Sequence, residues 1–110
     1  VTLRRVVLPE AEDELREALA WNEDRRPGLG VERLGAIEAA MGLVASMPLR
    51  GPTWDMDPRY RRVLLRGFPY LLFYELRADS IELVAVAHVR REPGYWLRRI
   101  RTAPQNEEDP

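Results

Sequence analysis

The chain of 110 residues contains no cysteine, no lysine and a single histidine. Without cysteine there is no disulfide framework, no thiolate nucleophile and no sulfur-ligated metal, a composition that suits a reducing cytoplasm. One histidine alone cannot supply the clustered nitrogen and sulfur ligands of a zinc site, so neither a metal nor another cofactor is expected. No apolar run approaches the roughly 20 residues of a membrane span. The N-terminus lacks the charged-then-apolar pattern of a secretory signal. The expectation is a cytoplasmic protein with no membrane partner.

What is present is a globular composition, 45% hydrophobic and 32% charged. A chain of this length removes roughly two-thirds of its unfolded surface from water on folding, enough for one cored domain. That domain is expected over residues 1–101, followed by an acidic, flexible tail at 102–110. All 17 basic residues are arginine, and the formal net charge of −1 conceals a segregation. Residues 1–48 carry 6 arginines against 9 acids, residues 49–101 carry 11 against 6, and the tail has 3 acids and no base. These give −3, +5 and −3. A basic C-terminal half attracts nucleic acid or an acidic peptide better than the whole-chain charge implies.

Periodicity then orders the chain. "TLRRVVL" (2–8) reads as a strand that stops at Pro9. "PEAEDELREALAWNEDRR" begins with proline and acids where a helix N-terminus favours them. Ala11, Leu15, Ala18 and Leu19, with Trp21 or Asn22 after them, form its apolar face, and the rest of "EAEDELRE" reads as a solvated surface. "PGLG" (27–30) turns the chain into a second helix, with Val31, Leu34, Ile37, Met41 and Val44 at spacings of three and four. Residues 49–59 read as a loop. "YRRVLLR", "YLLFYEL" and "IELVAVAHV" are strands, and "PGYWLRRIR" (93–101) is a short terminal helix. The expected fold is α+β, in the order β-α-α-β-β-β(-α), with a helical hairpin on one face of a small antiparallel sheet. If Leu76 pairs with Ile81, then Tyr70, Leu72 and Tyr74 share the core face with Leu83, Ala85 and Ala87. The other face, with Leu71, Phe73, Glu75, Glu82, Val84, Val86 and His88, is then partly exposed. That register sets Glu75 against Glu82, a repulsive pair, and a bulge would exchange the faces of one strand.

This element order, with "RRVLLRGFPYLLFYEL" and "IELVAVAHVRREPGYW", resembles the RelE/ParE superfamily of toxins from type II toxin–antitoxin systems, over residues 1 to about 101. The resemblance implies a growth-inhibiting toxin neutralised by a cognate antitoxin, with DNA gyrase (ParE-like) or ribosome-bound mRNA (RelE-like) as target. RelE-like nucleases carry an arginine after the tyrosine of the middle strand, where this chain has Leu71. The apolar "FPYLLFY" and the histidine shortly followed by arginine are closer to ParE-like members, which favours gyrase inhibition over RNA cleavage. A non-toxic binding module of the same fold is the third reading.

The resemblance also implies site residues. His88, Arg90, Arg91 and Tyr95 are the catalytic candidates if the chain cuts RNA, because 2′-hydroxyl attack needs proton transfer and stabilisation of added negative charge. Arg61, Arg62, Arg66, Arg90, Arg91 and Trp96 are the candidates for contact with target or antitoxin. Guanidinium groups bind phosphate and carboxylate oxygens in bidentate fashion. Tyr95 and Trp96 either stack on a base or anchor the C-terminal segment to the core.

Overall fold

The computed structural model describes residues 2–102 and has the expected α+β class. Strand β1 (Arg4–Val7) leads into helix α1 (Pro9–Arg25), which opens on proline with Glu10 and Glu12 in its first turn. The chain reverses through Gly28, whose φ of 90° suits a residue without Cβ. Helix α2 (Leu29–Ser46) is capped from α1: the Glu23 carboxylate accepts the N–H groups of Gly28 and Gly30 at 3.0 and 2.9 Å. These bonds hold the Glu23 carboxyl below its ordinary range. Ile37, Met41 and Val44 are buried as their spacing implies. Val31 and Leu34 are instead exposed, because Leu29 and Gly30 are the buried positions of that first turn and Gly30 backs onto Leu19 and Glu23.

The stretch expected as a loop holds a two-residue strand, β2 (Thr53–Trp54), and the start of β3 (Asp57–Leu64). Gly51 is required before it, since a Cβ there would lie 2.6 Å from the Tyr74 hydroxyl. That hydroxyl donates to the Pro48 carbonyl at 2.8 Å. Strands β4 (Tyr70–Leu76) and β5 (Ser80–His88) complete a sheet in the order β1-β5-β4-β3-β2. All neighbours are antiparallel except β1, which joins β5 in parallel.

The β4–β5 register begins as expected, with Leu76 opposite Ile81, Glu75 opposite Glu82 and Tyr74 opposite Leu83. The Arg77 guanidinium bridges the two facing carboxylates at 3.4 and 3.3 Å, which offsets their repulsion. The next pair is Phe73 with Ala85, so Val84 is an extra residue, a β-bulge. Beyond it the faces exchange. Ala85 and Ala87, expected beneath the helical hairpin, join Val84 and Phe73 on the opposite side, and Val86 takes the inner position.

That opposite side is not open. Helix α3 (Tyr95–Thr102) lies across it with Trp96 fully buried among Trp54, Tyr60 and Phe73, at ring-centre distances of 5.2, 4.8 and 5.0 Å. The partly exposed face expected there is therefore corrected: Phe73 and Val84 are core residues of a second layer. Thr102 belongs to α3, and the rest of the expected acidic tail lies outside the described residues.

A clasp fixes α3 at the edge of the sheet. β1 ends at Val7, and the last backbone bond on that side of β5 is donated by Leu8 N–H to the Leu83 carbonyl. Past that point side chains replace the missing strand. Val86 N–H donates to Glu14 Oε1 at 2.9 Å, and Arg99 Nη2 donates to the Val84 carbonyl at 2.8 Å. Arg99 also reaches both Glu14 oxygens, at 2.9 and 3.1 Å, and the Tyr95 hydroxyl donates to the same carboxylate. Glu14 is thus the exception in "EAEDELRE": its side chain is only 14% exposed. Burial pushes its carboxyl up, but the bonds from Arg99, Tyr95 and Val86, with the charge of Arg99, outweigh burial and leave it below its ordinary value.

Two outcomes are expected. Trp96→Ala removes the plug of the second layer and should cost about 3–5 kcal/mol in urea unfolding; a loss below about 1 kcal/mol would mean that α3 is not part of the core. A carboxyl lowered in the folded state stabilises above its unfolded value, and that contribution is lost as pH falls through the folded one. Stability should therefore decline on acidification from about pH 5, and Glu14→Gln should flatten the decline.

Candidate interaction surface

The five arginines and three other candidates separate into three environments. The first is a groove of about 840 Å³ between α2 and the free portion of β3. Its walls are Ala36, Ala39, Ala40 and Leu43 from the helix and Val63, Leu64 and Leu65 from the strand end. β2 pairs with β3 as far as Arg61 and the Arg62 N–H still donates to the Pro52 carbonyl at 3.2 Å, but past Arg62 no described strand pairs with β3 on that side. Leu64 is 63% exposed there. Alanines keep the helical wall low, which lets another backbone approach closely. Arg50, Arg62 and Arg66 line the same groove, and none of these guanidinium groups forms an ion pair with another described residue. The groove is therefore apolar along its floor and cationic at its rim.

Arg61 does not join this group. It shares the inner face with Val63 and Leu65, and its Nη1 donates to the carbonyls of Gly51 and Leu49 at 2.7 and 3.4 Å. This guanidinium holds the loop before β2, so its expected contact role gives way to a structural one.

The second environment is the end of β5. His88 is half-buried, its ring edge-on to Tyr70 with centres 5.2 Å apart. Its Nδ1 accepts the Arg90 N–H at 3.0 Å, which places the proton of the neutral imidazole on Nε2. With Glu14, Glu17, Trp21, Tyr70, Val86 and Arg91 it lines a cleft of about 340 Å³. Arg90 is exposed at the turn, and Arg91 stacks its guanidinium over the Tyr95 ring at 3.8 Å.

The third is the second core. Trp96 is 0% exposed, so it offers no ring to a base or a partner, and its expected contact role is corrected to that of an anchor. Tyr95 is no more available, because its hydroxyl is donated to Glu14. Burial first, and then the adjacent Glu14 carboxylate, push its pKa well above that of a free phenol, so it is a poor proton donor to a leaving oxygen. Around Arg62 the nearest side chains on the strands are Leu64, Leu71 and Phe73, and Arg62 also lines a small cleft of about 130 Å³ with His88, Arg91 and Glu92. Of the four catalytic candidates, His88, Arg90 and Arg91 are brought to one turn, and Tyr95 is turned away to the clasp. Sequence reasoning missed Glu14, Arg50 and Arg99. Arg50 sits in the proline- and glycine-rich loop, and its only signal was membership of the basic C-terminal half.

No group of three or more His, Asp or Glu residues suited to holding a metal occurs among the described residues. No helix among them is long and apolar enough to cross a membrane.

A family model described as the ParE toxin of the type II toxin–antitoxin system parDE matches residues 6–93. A structure of the chromosomal ParDE system from P. aeruginosa superposes with a TM-score of 0.69 at 11% identity, covering 79% of this chain and 96% of that one. A structure of a mutant E. coli toxin RelE in the free state gives a TM-score of 0.65 at 16% identity, covering 91% and 99%. No curated protein matches the sequence. With a family model spanning most of its length and a fold shared with both structures, the chain belongs to the ParE toxin family of type II toxin–antitoxin systems.

Proposed function

We propose that this toxin acts in the cytoplasm by binding DNA gyrase without covalent chemistry, and that its antitoxin neutralises it by laying an acidic amphipathic segment into the groove between α2 and β3. The observation that carries the antitoxin reading is the groove itself, whose apolar floor is rimmed by Arg50, Arg62 and Arg66. An amphipathic helix or strand with apolar anchors on one side and carboxylates on the other meets both features, and such a segment can order as it binds. The alanines of α2 suit close backbone approach, and the unpaired stretch of β3 at Leu64 suits an added strand.

The gyrase reading rests on chemistry. RNA cleavage needs a proton acceptor and a proton donor within reach of a cationic site. Here the strand neighbours of Arg62 are Leu64, Leu71 and Phe73, the cleft it shares with His88 and Arg91 is only about 130 Å³, and the Tyr95 hydroxyl is committed to Glu14. Arg90 and Arg91, in the exposed turn after β5, are the proposed target contacts. His88 orders that turn through the Arg90 N–H.

The experiment separates the two surfaces. Induction of the toxin should trap gyrase–DNA cleavage complexes and produce filaments; mRNA cut at codon boundaries, with gyrase unaffected, would overturn the reading. Arg90→Ala with Arg91→Ala should weaken toxicity and leave antitoxin binding intact. Arg62→Glu or Arg66→Glu should do the reverse: each lost charge-assisted contact is worth about 1.5–3 kcal/mol, roughly a 10- to 150-fold loss of antitoxin affinity in titration calorimetry.

A further inference from the structure

The clasp at Glu14 does more than hold α3. Past the end of β1, the outward N–H of Val86 and the carbonyl of Val84 belong to an edge that no strand covers. The sequence of that edge is "VAVAHV" (84–89), six residues with no proline, no glycine and no charge at neutral histidine. Short β-prone, uncharged segments of this kind are the ones that stack with copies of themselves when their backbone groups are free. Natural sheets cover or charge such edges. In this domain the charges sit just outside the segment, at Glu82, Arg90 and Arg91, a flanking arrangement that opposes stacking. Among the described residues, beside the packing of α1 against β5, the hydrogen bonds to this edge come from two side chains: the Glu14 carboxylate takes the Val86 N–H, and the Arg99 guanidinium takes the Val84 carbonyl.

We infer that the Glu14–Arg99 clasp is an edge guard, and that the surface it hides is a self-association site whose occupant is the same segment of a second copy of this chain. The two groups act together because Arg99 binds both oxygens of Glu14, so removal of either takes away one edge contact and loosens the other. Two opened edges can then pair antiparallel, each Val86 N–H meeting a carbonyl of the other copy. The inference is independent of the target and antitoxin readings, since it concerns the free protein.

Sedimentation of the full chain over a concentration series tests it, with Glu14→Ala, Arg99→Ala and a control, Met41→Ala, that loosens the helical core but leaves the clasp in place. Both clasp variants should associate with a dissociation constant at least about tenfold below that of the wild type, while the control stays monomeric at the same concentrations. Clasp variants that remain as monomeric as the wild type would overturn the inference, and so would a control that associates to the same degree. Should the clasp variants fail to fold, amide exchange on the wild-type protein decides: Val86 N–H should exchange as slowly as the ladder amides of Ala85 and Ala87. Rapid exchange at Val86 would mean that the clasp does not close the edge.

Discussion

The extra residue in β5 decides what each layer of this toxin receives. Up to Leu83 the strand alternates in phase with β4, and its inner residues meet the helical hairpin. Val84 has no partner on β4, so Ala85 follows it to the same face and the alternation restarts inverted. Without that insertion, Ala85 and Ala87 would sit under α1, and Val86 would take their place beneath α3. With it, two small alanines lie under α3, where a large indole has to fit, and a valine faces the helices. Trp96 can reach full burial because the strand presents little bulk at those positions. The bulge also turns the Val84 carbonyl to where Arg99 can reach it, so the clasp and the plug depend on the same residue.

Closing the second face changes which surface remains for partners. A sheet with one open side would present its arginines across that side. Here the aromatic cluster fills it, and Arg50, Arg62 and Arg66 lie along the α2–β3 groove while Arg90 and Arg91 lie in the turn after β5. One surface is long, apolar and basic at its rim, and the other is a compact turn ordered by His88 and by the stacking of Arg91 on Tyr95. Two separated surfaces are what the proposed target and antitoxin contacts require.

Much of the fold was legible because its signals are local. Proline at the start of α1, the glycine turn and the spacing of Ile37, Met41 and Val44 define the hairpin, and the β-like runs define the strands. The bulge was not legible because "LVAVA" (83–87) is apolar at every position, so no polar residue marks which face each side chain takes. The only hint was the Glu75–Glu82 opposition, which the chain tolerates by adding Arg77 rather than by shifting register there. The site was legible only in part. Arg62 and Arg66 are identified by strand and charge. Arg61 and Trp96 look the same as functional residues in sequence, and only three-dimensional placement commits one to the Gly51 carbonyl and the other to the core. Glu14 was hidden among the other acids of α1, since a carboxylate that reaches a strand edge 72 residues away leaves no local pattern.

The claim on which the rest depends is the face exchange at Val84, and nuclear Overhauser contacts of the β5 methyl groups test it most directly. The methyls of Val84, Ala85 and Ala87 should contact the ring protons of the Trp54, Phe73 and Trp96 cluster, while those of Val86 should contact Ala18 and the helical core. Val84 and Val86 sharing one set of neighbours, with Ala85 on the other side, would show an unbroken strand and would contradict the two-layer account.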